Sequence, residues 1–418
     1  MIASRIAPQG MIGAMTDAAC DDAEEMGRPA AGVPLGTIAG QWLRLGSIGF
    51  GGPPTHIALL RRLCVEDRQW LDASEFEDAI ATTNLLPGPA STQLAIYCAW
   101  RLRGAAGAIL GGICFITPGL VLIVALAAVF LASDPPAWIL GAAAGAGAAV
   151  PAVALHAARG LVPASWKRMG SERAQHGRWI AYALLGAIAA AAVGPYLVLV
   201  LLACAAAEVA IQRRGWARPP SPARVTLPAV ALHRAALHGA ALGGLGSLAW
   251  VALKVGALSY GGGFVIVPLM QHDAVNLYHW MSGPAFLNAV ALGQVTPGPV
   301  VQTVAVVGYA AGGIGGAMLA ALIAFAPSFA FVLLGGRHFD QIRTNRAAQS
   351  FLTGAGPAVI GAIAGSSVPL GLSLQHLWQV PVLTGALVWL FVARRGVVSA
   401  LLLAGAAGVV VTLAGVSA

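Results

Sequence analysis

Charge is scarce in this chain. Only 10% of its 418 residues are Asp, Glu, Lys or Arg, while 58% are hydrophobic, and the mean hydropathy is +0.78. A soluble globular protein carries about 25% charged residues, so this composition cannot clothe a water-facing surface. It excludes a soluble domain and implies an integral membrane protein. Acidic residues are the scarcer sign, 16 against 24 Lys and Arg. The net charge of +8 reads as cytoplasmic loop charge, not as a nucleic-acid footprint. The five cysteines, Cys20, Cys64, Cys98, Cys114 and Cys204, make no CxxC or metal spacing and read as packing residues. HExxH, P-loop, GxSxG and dinucleotide patterns are all missing, so no enzyme signature and no cofactor are expected. Without a nucleotide-binding domain, any transport must run on gradients. Carboxylates are almost absent from the clear apolar spans, with Asp134 and Glu208 at span ends, whereas a proton-coupled carrier usually shows one inside.

Glycine is plentiful, at 53 residues, and small residues let membrane helices approach closely. The chain also repeats itself. Leu86-Pro87-Gly88-Pro89 returns as Thr296-Pro297-Gly298-Pro299, an offset of 210 (296 − 86). The same offset maps Gly46 onto Gly256, Gly51-Gly52 onto Gly261-Gly262, Leu59 onto Leu269, Trp70 onto Trp280, Phe76 onto Phe286 and Phe115 onto Phe325. The register reads as unbroken from Gly46 to Phe115, which predicts two copies of one unit. Helix breakers at matched places in two apolar halves are the best sequence pointer to a transport site.

A crossing needs about 20 apolar residues. Candidate spans are roughly 36–60, 104–132, 137–158, 179–194 and 195–212, then 240–270, 314–336, 351–372, 379–393 and 397–417. Stretches 79–100 and 286–311 carry the Pro-Gly-Pro breaks and read as re-entrant or paired half-helices. The expected fold is an all-α membrane protein with about ten transmembrane helices plus two broken segments. Residues 1–33 read as a disordered acidic extension, not a cleaved signal. Residues 34–212 form a first repeat, 213–238 a basic Pro-rich cytoplasmic linker, and 239–418 a second repeat. Basic clusters at Arg159–Arg178, Arg213–Arg234, Arg337–Arg346 and Arg394-Arg395 mark cytoplasmic loops, with a tight hairpin near Gly194-Pro195 between the first two. Arg101 and Arg103 then lie inside, and uncharged Gly312-Gly313 outside. The repeats are therefore expected to have inverted topology.

The chemistry is expected at the breaks. Pro89 and Pro299 should each start a half-helix. Its free amides, from Ala90, Ser91 and Thr92 and from Val300, Val301 and Gln302, would form an anion site. Side chains of Ser91, Thr92 and Gln93, and of Gln302 and Thr303, add donors. Arg44 and Lys254 are equivalent cations in apolar spans, where a charge costs about 2.5–3.5 kcal/mol, and they favour an anionic substrate; snorkelling to a helix end is the bland alternative. Gly51-Gly52 and Gly261-Gly262-Gly263 let a ligand or a neighbouring backbone come close, with Phe50 and Tyr260 beside them. Asn84 and Gln294 are equivalent polar residues before the breaks, and could serve the site or tie off free carbonyls. The acidic stretch from Glu66 to Asp78 reads as a solvated interfacial helix, with a proton path as the alternative, and His56 and His272 as further titratable groups.

These residues resemble the chromate transporter family. The resemblance rests on Phe50-Gly51-Gly52-Pro53 with His56-Ile57-Ala58, Asn84 to Pro89 with Gln93, Tyr260 to Gly263, Leu287-Asn288-Ala289, and Gly293 to Pro299. It covers both halves from about 36 to 400, and the length is similar to that of fused two-domain members. It implies chromate export across the bacterial inner membrane, conferring resistance. It also implies site roles for Gly51, Gly52, Pro53, Asn84, Pro87, Gly88, Pro89 and Gln93, and for Gly261, Gly262, Gly263, Gln294, Pro297, Gly298 and Pro299; Thr296, beside the second break, is a further candidate. Gln302 stands one position short of the Gln93 equivalent at this offset, Thr303. The expected partners are a small inorganic anion and the lipid bilayer, with a homodimer as a further assembly and no nucleic acid. Sulfate or another tetrahedral oxyanion, or an anion channel, is the competing reading. A membrane enzyme on lipid phosphates would need a nucleophile or base beside the cations, and none is seen.

Overall fold

The computed structural model describes residues 32–84, 86, 88–132, 134–193, 197–213, 244–259, 266–335 and 345–415. All regular structure among them is helical. The N-terminal extension, nearly all of the 213–238 linker, the Gly194-Pro195 turn, Tyr260 to Gly263, and Pro87, Arg337 and Arg343 lie outside the described residues.

The first half runs α1 (Leu35–Ile48), α2 (Pro53–Arg61), α3 (Ala73–Thr83), α4 (Ala90–Phe130), α5 (Ala137–Met169), α6 (Arg173–Ile188) and α7 (Leu197–Arg213). The second half runs α8 (Gly244–Leu258), α9 (Ile266–Gln271), α10 (Gly283–Val295), α11 (Thr303–Gly335), α12 (Arg346–Leu372), α13 (Gln379–Leu387) and α14 (Val397–Leu413). Residues Ala90–Phe130, Ala137–Met169, Val300–Gly335 and Arg346–Leu372 are long and apolar enough to cross a bilayer. Gly244–Leu258, Gln379–Val392 and Val397–Leu413 are shorter apolar helices. The expected span 36–60 is interrupted after Ile48, where Gly49 forms an inverse γ-turn (φ −76°, ψ 63°; Phe50 N–H to Ile48 O, 2.9 Å).

Local features recur along the chain. A π-turn follows α2 at Arg62–Asp67 and α9 at His272–Leu277. Each ends in a left-handed residue, Gln69 (φ 50°) or His279 (φ 51°). Trp70 N–H then closes on Cys64 O at 2.7 Å and Trp280 N–H on Ala274 O at 2.8 Å.

The long helices α4 and α11 are hairpins. Helical dihedrals fail at Arg103 and Gly104 in α4, and at Gly312 and Gly313 in α11. Gly104 (φ 58°) and Gly313 (φ 61°) take the left-handed conformation that reverses the chain. After the reversal Gly107 packs on the Ala99 carbonyl and Gly112 beside Ile96, while Gly316 packs on the Gly308 carbonyl. The short arm 90–102 is about 20 Å long and the long arm 105–130 roughly 40 Å, at 1.5 Å per residue. Only the long arm can cross a hydrocarbon core of about 30 Å.

The unbroken 210-residue register is corrected here. Gly46 sits on the Phe115 carbonyl, whereas its counterpart Gly256 sits on that of Ala324, not Phe325. The offset is therefore 209 (324 − 115) beyond the breaks. Arg103-Gly104 against Gly312-Gly313 and Pro118 against Pro327 agree with it. One residue is missing between Pro299 and Gln302 relative to Pro89 and Gln93. The second copy absorbs the loss by opening with a tighter 3₁₀ turn, Val300–Gln302. Gln302, not Thr303, is thus the counterpart of Gln93.

Helix packing is reciprocal between the halves. α1 lies on α4 and α8 on α11; α4 meets α11 and α5 meets α12. The terminal helices are exchanged: α6 and α7 pack on α12, while α13 and α14 pack on α5. The seams are built from small residues. Gly145 rests on the Ala404 carbonyl, Gly186 on that of Ala358, and Gly361 on that of Ala183. Lipid gives helices no hydrophobic drive to associate, so such close backbone approach supplies the van der Waals contact instead.

Candidate substrate site at the chain breaks

The first Pro-Gly-Pro turn links α3 to the short arm of α4, and the second links α10 to α11. Gly88 (φ 121°) and Gly298 (φ 99°) hold positive φ, which explains glycine at the tips. Pro89 and Pro299 are the residues before the helical turns and give them no side-chain cap. Thr92 and Gln93 amides donate to Pro89 O at 2.9 and 3.0 Å, and the Gln302 amide donates to Pro299 O at 2.9 Å. Thr92 and Gln302 were expected to offer free amides, and these bonds engage them. The first-turn amides of Ala90 and Ser91, and of Val300 and Val301, have no acceptor within a helix of this geometry.

Each turn sits against the middle of the long arm of the other half. Gln302 Nε2 donates to Ile116 O at 2.9 Å, and Gly119 faces Pro297 O and the Gln302 amide. Ser328, 209 residues beyond Gly119, faces Gly88 in the same way. Gly298 N–H crosses to Gly49 O at 3.0 Å, which ties the second turn to the break after α1.

His56 joins the two breaks. Its ring is 1% exposed. Nε2 lies 2.9 Å from Gly49 O, and a carbonyl only accepts, so this nitrogen carries a hydrogen. Nδ1 lies 3.2 Å from Ser91 Oγ, and Phe115 meets the ring edge-on at 5.1 Å. The chain Gly298–Gly49–His56–Ser91 therefore connects both turns. Sequence reasoning named His56 within the resemblance and as one further titratable group, and gave it no place between the breaks. An isolated His two residues after Gly51-Gly52-Pro53-Pro54 in an apolar stretch was the available signal.

Ser91, Thr92, Gln93, Gln302 and Thr303 are all buried. Thr303 Oγ1 returns to Val300 O at 2.8 Å and Thr296 Oγ1 to Leu292 O at 2.9 Å. Thr92 Oγ1, Gln302 Oε1, Gln294 Nε2 and Ser328 Oγ are buried without a protein partner. Gly52 approaches the Val300 side chain, so the first glycine turn borders the second Pro-Gly-Pro turn. Asn84 is exposed at the end of α3. Arg44 is exposed on α1, and Lys254 is paired with the buried Asp273. The structure does not gather these two cations with the turns. The acidic stretch is laced by ion pairs Arg61–Glu77, Arg62–Asp67 and Arg101–Glu75. No cluster of metal-ligating side chains occurs among the described residues.

Sequence also underrated Glu208. It is fully buried on α7 and takes a two-pronged bond from Arg178 (3.0 and 3.2 Å), with Tyr182 at 3.2 Å and Gln212 at 2.9 Å. Every oxygen is satisfied, which makes this a structural clamp between α6 and α7.

Interrupted helices tied together between two halves of a helical membrane protein are a feature of transporters. The family model for the chromate transporter matches residues 36–209 and 246–411. The chain is 32% identical over 337 residues to a chromate transport protein of Cupriavidus metallidurans, covering 79% of this chain and 80% of that one. It is 30% identical over 351 residues to a chromate transport protein of Pseudomonas aeruginosa, covering 79% of each. A probable chromate transport protein of Synechococcus elongatus is 29% identical over 342 residues, covering 80% of this chain and 84% of that one. No solved structure matches. The chain belongs to the chromate transporter family.

Proposed function

We propose that this protein is a secondary transporter that exports chromate across the bacterial inner membrane. The observation that carries the reading is the linkage of the two Pro-Gly-Pro turns through Gly49 and His56, each turn lying against the long arm of the other half, with uncapped helix starts at Ala90 and Val300. Helix N-termini present donors and a positive dipole end to an oxyanion. Thr92 Oγ1, Gln294 Nε2 and Ser328 Oγ are buried donors that lack a protein partner, and an unsatisfied buried group costs about 1–3 kcal/mol. A tetrahedral oxyanion would satisfy several at once. Ser91, Gln93, Thr296 and Thr303 complete the polar lining, with Gly51, Gly52, Gly88 and Gly298 admitting the anion to backbone.

The matched breaks, the reciprocal packing and the loop charges support two repeats of inverted topology, giving alternating access about the shared site. Energetics favour export. One charge crossing 100 mV is worth about 2.3 kcal/mol, so a chromate dianion leaving a negative interior gains roughly 4.6. The potential alone can drive it, without an intramembrane carboxylate relay. The family relation supports a transporter and not an enzyme.

Radiolabelled chromate uptake into energised everted vesicles tests the function. Saturable, potential-dependent uptake is expected, with inhibition by excess sulfate if the site reads tetrahedral dianions in general. Absence of uptake with the protein in the membrane refutes chromate export, and non-saturating flux indicates a channel.

A further inference from the structure

A second group of basic residues shares no lining residue with the chain breaks. A cavity of about 510 Å³ opens between α5 and the connector from α13 to α14, lined by His156, Arg159, Leu390, Arg394, Arg395 and Gly396. Four of these six are basic and none is acidic. Among the described residues no carboxylate pairs with Arg159, Arg394 or Arg395. The walls are fixed by Phe391, which the Arg159 guanidinium covers at 5.3 Å and the His156 ring meets edge-on at 5.7 Å. His156 Nδ1 is buried and has no protein partner. Arg394 is held at φ 52°, and the Arg395 amide closes on Trp389 O at 3.1 Å, so the connector is an ordered turn.

The packing gives the depth of this cavity. α14 runs antiparallel to α5, with Gly141 against Gly408 and Thr412 and Gly145 against Ala404. Arg159 lies about 27 Å along α5 from Gly141 at 1.5 Å per residue, close to one hydrocarbon thickness of about 30 Å. The basic cavity is therefore at a membrane–water boundary, on the side that loop charge assigns to the cytoplasm. Beside it, Val388, Val392, Leu402 and Leu403 are exposed apolar side chains.

We propose that this cavity binds the phosphate of an anionic phospholipid. The guanidiniums and His156 take the phosphate oxygens, and the acyl chains lie along exposed Val388 and Val392, which follow α13, and Leu402 and Leu403 of α14. Basic pockets between membrane helices on the cytoplasmic side suit such head groups. A free oxyanion matches the cations but leaves the apolar margin unused. One lipid would bridge α5 of the first half to the terminal hairpin of the second.

Native mass spectrometry of the purified full-length protein, with thermal unfolding in parallel, tests this. Phosphatidylglycerol is titrated against phosphatidylcholine, with inorganic phosphate, sulfate and chromate as separate arms. Saturable phosphatidylglycerol binding with a raised unfolding temperature is expected, and no such effect from phosphatidylcholine or the free anions at equal concentration. The double variant Arg394→Gln/Arg395→Gln should weaken phosphatidylglycerol binding roughly thirtyfold, at about 1 kcal/mol per surface cation. Equal binding of phosphatidylcholine, or unchanged binding by the variant, overturns the proposal. Protection by the free anions that is lost in the variant also overturns it, and makes the cavity a free-anion site. If the double variant does not fold in phosphatidylcholine, Arg159→Gln replaces it from the opposite wall. About a fivefold loss is then expected, and no loss refutes the assignment.

Discussion

Gly49→Ala presses on the His56 connection. The φ and ψ of Gly49 are those of an inverse γ-turn, which alanine adopts without backbone strain. The new methyl would stand 2.7 Å from His56 Cδ2, 2.8 Å from Nε2 and 2.9 Å from the Leu45 carbonyl oxygen, and of these the ring is the group free to move. Relief to an ordinary 3.4 Å contact requires the ring to retreat by 0.7 Å (3.4 − 2.7). That shift would stretch the 2.9 Å bond from Nε2 to Gly49 O beyond hydrogen-bonding range and press the ring on Ser91 and Phe115. Loss of the bond costs about 1 kcal/mol and overpacking roughly 1–3 more. If the first Pro-Gly-Pro turn depends on this ring, uptake in everted vesicles should fall at least tenfold at equal protein level. Gly40→Ala is the control, because a Cβ there meets nothing within 4 Å. His56→Gln should lower uptake similarly, and the two changes should not add, since both act through one ring. Wild-type uptake by Gly49→Ala, or additive losses in the double variant, refutes the coupling between the breaks.

Lys254→Met leaves Asp273 buried without its counter-ion and should destabilise by roughly 3–5 kcal/mol, while Lys254→Met/Asp273→Leu regains most of it. Thermal unfolding checks this, and a double variant as unstable as the single contradicts the pairing; loss of transport by a stable double variant would return Lys254 to the substrate path. Arg178→Lys loses the two-pronged bond to Glu208 and should lower stability by about 1–3 kcal/mol without changing the KM for chromate. A raised KM in folded protein would show that this pair reaches the site. For topology, the corrected register makes Ala105 and Ile314 the matched exposed positions after the two reversals (314 − 105 = 209). Ala105→Cys should label from the cytoplasmic side and Ile314→Cys from the opposite side, and labelling of both from one side excludes inverted repeats.

The breaks were legible in sequence because Pro and Gly act locally. Pro87-Gly88-Pro89 and its copy announce a turn whatever surrounds them, and the structure places Gly88 and Gly298 at positive φ as such runs require. The chain turns at Arg103-Gly104 and Gly312-Gly313 were legible as the boundaries between the broken stretches and the spans 104–132 and 314–336, but not the tight reversal about one left-handed glycine, which looks like any other membrane glycine. The one-residue slip escaped because Phe325 happens to follow Ala324. Only the packing of Gly46 and Gly256 on carbonyls of Phe115 and Ala324 exposes it. Contacts between distant positions were beyond sequence reach, as with Gly298 to Gly49 and Gln302 to Ile116. The equivalence of Arg44 and Lys254 was read as shared function. Their environments differ because the first half has Leu63 where the second has Asp273.

The exchange of terminal helices between the halves constrains how the protein is made. The Gly141 and Gly145 seam of α5 is completed only by α14, the last helix described. At 5–20 residues per second, the ribosome needs roughly ten to fifty seconds between finishing α5 and finishing α14. Throughout that time a narrow glycine face stands in lipid with its proper cover not yet synthesised. The final helix therefore acts as the latch of assembly. A chain truncated before Val397 should reach the membrane unlatched, a target for quality-control proteolysis even with every residue of the chain breaks intact.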